Sequence, residues 1–324
     1  MEDAFPHRDL FFHNPLDNMP SYLTYADYCR RLFGTTVQKI AVDGGFTCPN
    51  RDGTLGATGC TFCNGEAFAP AYCRTAGSIT QQIDEGIRFH TRRHRKASRY
   101  VAYFQAYSNT YAPLEVLRQR YEEALSHPMI SGLVVSTRPD CVDDEKLDYL
   151  ASLAQQHYVA VEYGIESCYD DTLRRIQRGH DFACTERAIR ATAARGIHVG
   201  GHLILGLPGE SREQMLAEAD LLSALPINTL KLHQLQLLRG SELERLWRED
   251  PTAVPPPFTV EEYVSLVADF LRRLRPDIAI ERLAAEVPPR YMADPARSWC
   301  RDDGSHLRPD DIARLVAQRL SSRD

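Results

Sequence analysis

The sequence predicts an α/β fold whose parallel strands close into a barrel or part-barrel. Three observations carry that expectation. Six apolar runs of six to ten residues alternate with segments of helical spacing across residues 37–238, the pattern of repeated βα units. No G-x-G-x-x-G follows the first run; a doubly wound sheet therefore lacks its dinucleotide fingerprint, although it stays open as the alternative. Polar residues interrupt the apolar runs, and the spacing sets them toward strand C-terminal ends: Asp43, Gln105, Tyr107, Thr137, Glu162, Glu166, His202, Glu210, His233 and Gln234. Chemistry collects at those ends in both architectures.

The first strand is expected over 37–42 (VQKIAV), ending at Asp43-Gly44-Gly45. A helix over 78–95 follows, with Ser78 placed to cap it. YVAYFQAY (100–107) reads as the second strand and Leu114–Ser126 as a helix. SGLVVST (131–137) is the third strand, and Asp143–His157 is helical. YVAVEYGIES (158–167) is the fourth strand, with helical spacing over 170–178 and 185–195. HVGGHLILGL (198–207) is the fifth, followed by a helix over 211–224, and TLKLHQLQLL (229–238) is the sixth. The proline-rich DPTAVPPPF (250–258) reads as a linker. Beyond it come a helix over Val260–Leu274, a short apolar run at 278–283 and a helix near Asp310–Leu320. The expected organisation is an N-terminal extension (1–30), a barrel (31–249) and a C-terminal extension packed on it (250–324).

Composition narrows the function classes. The 324 residues are 43% hydrophobic and 25% charged, with a net charge of −6, which argues against bulk attraction to nucleic-acid backbones. No apolar run approaches the ~20 residues of a membrane helix. The opening MEDAFPHRDLFFHNPLDNMP is acidic at its start and broken by prolines, unlike a secretory leader. The nine cysteines are odd in number and scattered, which fits no disulfide framework. A cytoplasmic protein with available thiols is expected.

Cys48, Cys60 and Cys63 lie in GGFTCPNRDGTLGATGCTFCNG directly after the first strand. The C-x2-C pair and the Gly-rich surroundings suit thiolates converging on a soft metal or an iron–sulfur cluster. Three thiolates would leave one iron of a [4Fe–4S] cluster open. The competing reading is a zinc knuckle with Cys73 as fourth ligand, which would make the chain a zinc-stabilised binding protein. Cys141, Cys168, Cys184 and Cys300 read as buried residues or as further thiols near the substrate.

KIAVDGGFTCPNRDGTLGATGCTFCNGEAFAP resembles the cluster loop of the YhcC-type radical S-adenosylmethionine (SAM) proteins, relatives of the Elongator catalytic subunit. STRPD (136–140), VEYGIES (161–167), RIQRGHDF (175–182), HLILGLPGES (202–211) and KLHQLQLLRGSELE (231–244) extend the resemblance in the same order. The commonest spacing in that superfamily is C-x3-C-x2-C; here eleven residues separate Cys48 from Cys60, a long first gap that this subfamily shares. The resemblance implies a partial (β/α)6 barrel of the radical SAM class with a small C-terminal appendage. It also implies a [4Fe–4S] cluster on Cys48, Cys60 and Cys63 with SAM on the open iron. Reductive cleavage would give a 5′-deoxyadenosyl radical that abstracts hydrogen from a substrate, and a reduced flavodoxin- or ferredoxin-type donor would supply the electron.

The same resemblance suggests cofactor contacts. Phe62 and the pattern Ile204, Gly206, Gly209, Glu210 would lie near adenine. Gln105 and Tyr107 would meet the methionine end, and Arg178 its carboxylate. Of Glu162 and Glu166, Glu162 is the preferred ribose or amino contact. His233 is a better candidate than His202 for a role beyond the core. The basic run 90–99 (HTRRHRKASR) reads as a solvated helix end or a docking site for RNA or an acidic partner. Substrate classes from RNA to a metabolic protein stay open.

Overall fold

The structure, a computed structural model, describes residues 22–64, 70–75, 77–93, 97–294, 299–300 and 305–322. Residues 1–21 of the expected N-terminal extension and 94–96 of the basic run lie outside these.

The element order is α1 (Tyr25–Phe33), β1 (Val37–Val42), α2 (Ala71–Thr75), α3 (Ile79–Arg92), β2 (Arg99–Phe104), α4 (Leu114–Leu125), β3 (Ile130–Thr137), α5 (Asp144–Ala154) and β4 (Tyr158–Glu166). There follow α6 (Asp170–Arg175), α7 (Phe182–Ala194), β5 (His198–Leu205), α8 (Arg212–Ser223), β6 (Thr229–Gln234), α9 (Glu242–Glu249), α10 (Val260–Arg273), β7 (Ala279–Arg282) and α11 (Pro309–Ser321). All seven strands are parallel and lie in chain order. β1 and β7 do not pair, so the sheet is an open half-barrel, as expected, with one more strand than the six of the main run. That strand comes from the segment expected to be an appendage: β7 extends the sheet, and α10 packs against α8.

Side chains alternate across each strand. The outward set, including Ile40, Val42, Phe104, Leu133, Val135, Val159, Val161 and Leu203, packs beneath the helices. The helices start where side chains can satisfy their free amides: Ser78, Ser211 and Thr259 form capping boxes with Gln81, Gln214 and Glu262, and Asp143 and Asp181 cap α5 and α7.

The inward set is divided by depth. Val101, Val134, Tyr158 and Ala160 meet Cys29 and Phe33 of α1. This helix, not foreseen from the sequence, plugs the N-terminal end of the half-barrel. Just before it, Leu23 O accepts from Ile280 N at 2.8 Å and Thr24 bridges Ile280, so the same segment covers the free edge of β7. No helix is long and apolar enough to cross a membrane, among the described residues.

Candidate functional site

The loop after β1 is folded by its own backbone. Cys48 O accepts from Arg51 N at 2.8 Å, Pro49 O from Leu55 N at 2.8 Å, Asn50 O from Gly59 N at 2.7 Å, and Cys60 O from Cys63 N at 2.9 Å. Side chains tie it to the barrel: Asn50 Nδ2 donates to Gln177 O at 2.7 Å and reaches Cys60 Sγ at 3.3 Å. Arg51 Nη2 donates to Cys63 O at 2.9 Å. The result brings Cys48, Cys60 and Cys63 to one cavity at the C-terminal end of the sheet, with about 210 Å³ of water-accessible space.

Phe62, Gln105, Tyr107, Arg178 and Ile204 line the same cavity, so five of the nine residues expected to contact a cofactor share it with the thiols. Gln105 and Tyr107 stand past the end of β2, not within it. Tyr107 (φ 62°) and Glu166 (φ 65°) both hold left-handed backbone, which costs a side-chain-bearing residue about 1–2 kcal/mol. Such strain persists where the surroundings over-determine it, often at functional sites.

Glu166 and Arg178 form a partly buried pair at 3.5 Å. Arg178 also donates to Gly164 O at 2.6 Å and approaches Cys60 Sγ at 3.5 Å. Burial opposes its charge, but Cys60 and Glu166 outweigh burial and hold it firmly ionised. A Cβ on Gly164 would come within 2.4 Å of Glu166 Oε1 and 2.6 Å of Arg178 Nη2, so the pair depends on that glycine. Two guanidinium nitrogens here, Arg178 Nε and Arg138 Nη1, are buried without a partner among the described residues. Arg138, which the sequence reading passed over, lines the cavity and grips Asp140 through bonds of 2.8 and 2.7 Å.

Four expected contacts lie elsewhere. Gly209 lies against Arg175 and Glu210 accepts from Ser167, both off the cavity wall. Glu162 is not on the cavity wall; it is 2% exposed in a charged layer below the floor. Its oxygens accept from Lys231 Nζ at 2.6 Å, His202 Nε2 at 2.9 Å and Lys39. Glu281 meets Lys39 at 2.5 Å and Lys231 at 3.1 Å. Burial opposes the Glu162 charge, yet Lys231 and Lys39 hold it well below the usual carboxylate range. The preference for Glu162 over Glu166 is thus reversed by depth: both have inward parity, but β4 ends at Glu166. Gly206 faces Phe258 of the proline-rich segment and not the cavity.

Cys73 also lies apart. It sits in α2 with Sγ directed to Ala41 O at 3.5 Å, and burial pushes its thiol up to about 12. Cys141 turns its sulfur toward Asp140 at 3.8 Å. Of the cysteines, among the described residues, only Cys48, Cys60 and Cys63 line the cavity. Among the described residues no three His, Cys, Asp or Glu side chains are gathered as a single-ion site.

The description "Radical SAM superfamily" matches residues 48–222, and "Radical_SAM C-terminal domain" matches 227–306. The chain belongs to the radical SAM superfamily. Within it, this radical SAM protein is 38% identical over 273 residues to Protein YhcC of Escherichia coli (strain K12), covering 84% of this chain and 85% of that one. It is 38% identical over 275 residues to YtqA of Bacillus subtilis (strain 168), covering 85% and 84%. Among solved structures, Methanocaldococcus infernus Elp3 with an N-terminal deletion superposes with a TM-score of 0.66 at 16% identity. That match covers 88% of this chain and 62% of Elp3 and shows a shared fold.

Membership implies a [4Fe–4S] cluster and SAM, and the residues present fit both. Burial and the neighbouring Cys60 push the Cys63 thiol up, while Arg51 opposes them. A metal offsets such a rise, because it holds its cysteine ligands as thiolates. The free guanidinium nitrogens beside them suit a carboxylate.

Proposed function

We propose that this chain is a radical SAM enzyme whose [4Fe–4S] cluster is held by Cys48, Cys60 and Cys63. The supporting observation is that these three thiols, and no fourth cysteine, line one cavity with the strained Tyr107 and Glu166 and with Arg178. Bound there, cluster and SAM would supply the 5′-deoxyadenosyl radical for hydrogen abstraction from a substrate.

The chain's own residues do the rest. Arg178, kept cationic by Cys60 and Glu166, is positioned for the methionine carboxylate. Glu166 is set to accept from the amino or ribose groups, and Gln105, with no side-chain bond among the described residues, to bond the methionine end. Phe62 and Ile204 belong to one apolar cluster with Leu173, Ile176 and Leu207, which offers an aromatic and aliphatic face to adenine and excludes water. The electron arrives from a reduced flavodoxin- or ferredoxin-type donor.

Anaerobic reconstitution tests this reading. The wild type is expected to bind about four irons and to show a paramagnetic signal that SAM perturbs. It should also release 5′-deoxyadenosine under reduction. Cys48→Ala, Cys60→Ala and Cys63→Ala should each lose these properties, while Cys73→Ala keeps them. A triple alanine variant that still holds a SAM-responsive cluster would sink the proposal. So would stoichiometric zinc that disappears in Cys73→Ala.

A further inference from the structure

Among the described residues four arginines line the cavity, and three have acceptors. Arg51 donates to Cys63 O, Arg138 to Asp140, and Arg178 to Gly164 O beside Glu166. The fourth, Arg282, is half-buried on the wall and has no hydrogen bond or ion pair among the described residues.

A strand irregularity aims it there. β6 and β7 pair through Leu230 and Ile280, then Lys231 pairs with Arg282, leaving Glu281 as an extra residue. In an unbroken strand Glu281 and Arg282 would face opposite sides. The bulge turns both inward: Glu281 to Lys39 and Lys231, Arg282 to the cavity. Just after it, the Gln234 amide clamps Ala285 with bonds of 3.1 and 2.7 Å, fixing the chain that carries Arg282.

Its neighbours are also unspent. His233 lines the cavity, and its Nε2 is buried with no partner among the described residues. Burial, then the charge of Arg282, keeps that imidazole neutral. Gln236 lines the cavity with its amide unbonded among the described residues. The layer beneath is already balanced, Lys39 and Lys231 against Glu162 and Glu281. Arg282 is therefore a surplus cation, three strands along the sheet from the Glu166–Arg178 pair.

We propose that Arg282, with His233 beside it and Gln236 on the same cavity lining, is the subsite that recognises an anionic oxygen group, a carboxylate or a phosphate, on the substrate. The guanidinium fork matches either group with paired hydrogen bonds. This rests on the radical SAM reading for the reaction, but anion binding can be measured without it.

The test is calorimetric titration of the anaerobically reconstituted protein with succinate and with inorganic pyrophosphate, for wild type, Arg282→Lys and Arg282→Gln. One probe should bind the wild type. Arg282→Gln should weaken it on the order of tenfold to a hundredfold, the range for a lost charge-assisted bond, and Arg282→Lys by less. SAM affinity should stay within about twofold of wild type in both variants. If Arg282→Gln does not fold, labelling of wild-type arginines with phenylglyoxal replaces it, and the probe should protect Arg282. The proposal falls if neither probe binds, if Arg282→Gln binds unchanged, if Arg282 is labelled regardless of probe, or if the variants lose SAM affinity. Failure of the radical reading shows separately, as wild type that binds the probe but releases no 5′-deoxyadenosine.

Discussion

At the residue scale, the site is controlled by positions where backbone and side chain compete for space. Gly164→Ala puts a methyl group between Glu166 and Arg178, so SAM affinity should fall at least tenfold while denaturant unfolding changes little. Calorimetric SAM titration and a guanidinium melt check the two halves; a variant with full SAM affinity would remove Glu166 and Arg178 from the site. Gly206→Ala should act the opposite way. Gly206 has φ 87°, and a Cβ there would meet the Phe258 ring at 2.7 Å. The backbone alone costs about 1–2 kcal/mol, so stability falls but SAM binding in the folded fraction persists. The sequence showed both glycines but not this division, because spacing does not report which neighbour fills the space above a Cα.

At the element scale, the parallel strands carry an ionic layer through the middle of the half-barrel. Lys39 of β1, Glu162 of β4, Lys231 of β6 and Glu281 of β7 form it. Glu162→Gln leaves two lysines short of charge and should cost about 3–5 kcal/mol. Its pH dependence has a definite sign. The folded carboxyl is held below its unfolded value of about 4.3. Its contribution is therefore present above that value and lost as pH falls through the lower folded one. The wild type should lose stability below about pH 4.5, and Glu162→Gln should lose less over that window. Glu218 of α8 behaves inversely. Burial, then Glu210, raises its carboxyl well above the usual range, so its contribution is full at low pH and is lost as pH rises. Glu218→Gln, which keeps an acceptor for Cys168 N, should gain on wild type as pH rises from 5 to 8. Unfolding midpoints across pH test both; parallel curves would refute the assignments.

At the scale of the whole molecule, α1 closes what the sheet leaves open. Phe33 stacks edge-on against Tyr158 with ring centroids 5.0 Å apart, inside the apolar plug at the N-terminal end. Phe33→Ala should cost about 3–5 kcal/mol in denaturant unfolding, far from the cavity; a change below 1 kcal/mol would show that α1 is not a closing element. Strand positions, capped helices and the three thiols that share the cavity were legible in the sequence, because period-2 alternation, cap chemistry and C-x2-C spacing are local properties. So was the presence of most cavity residues, since the ends of parallel strands converge. Depth within the barrel was not legible. Glu162 and Glu166 share a face, and only the three-dimensional end of β4 separates a buried counter-ion from a residue on the cavity wall. The bulge that turns Arg282 inward, the covering of β7 by the chain before α1, and the seclusion of Cys73 in α2 were decided by tertiary structure alone. Each depends on contacts between segments far apart in sequence, and no local pattern encodes them.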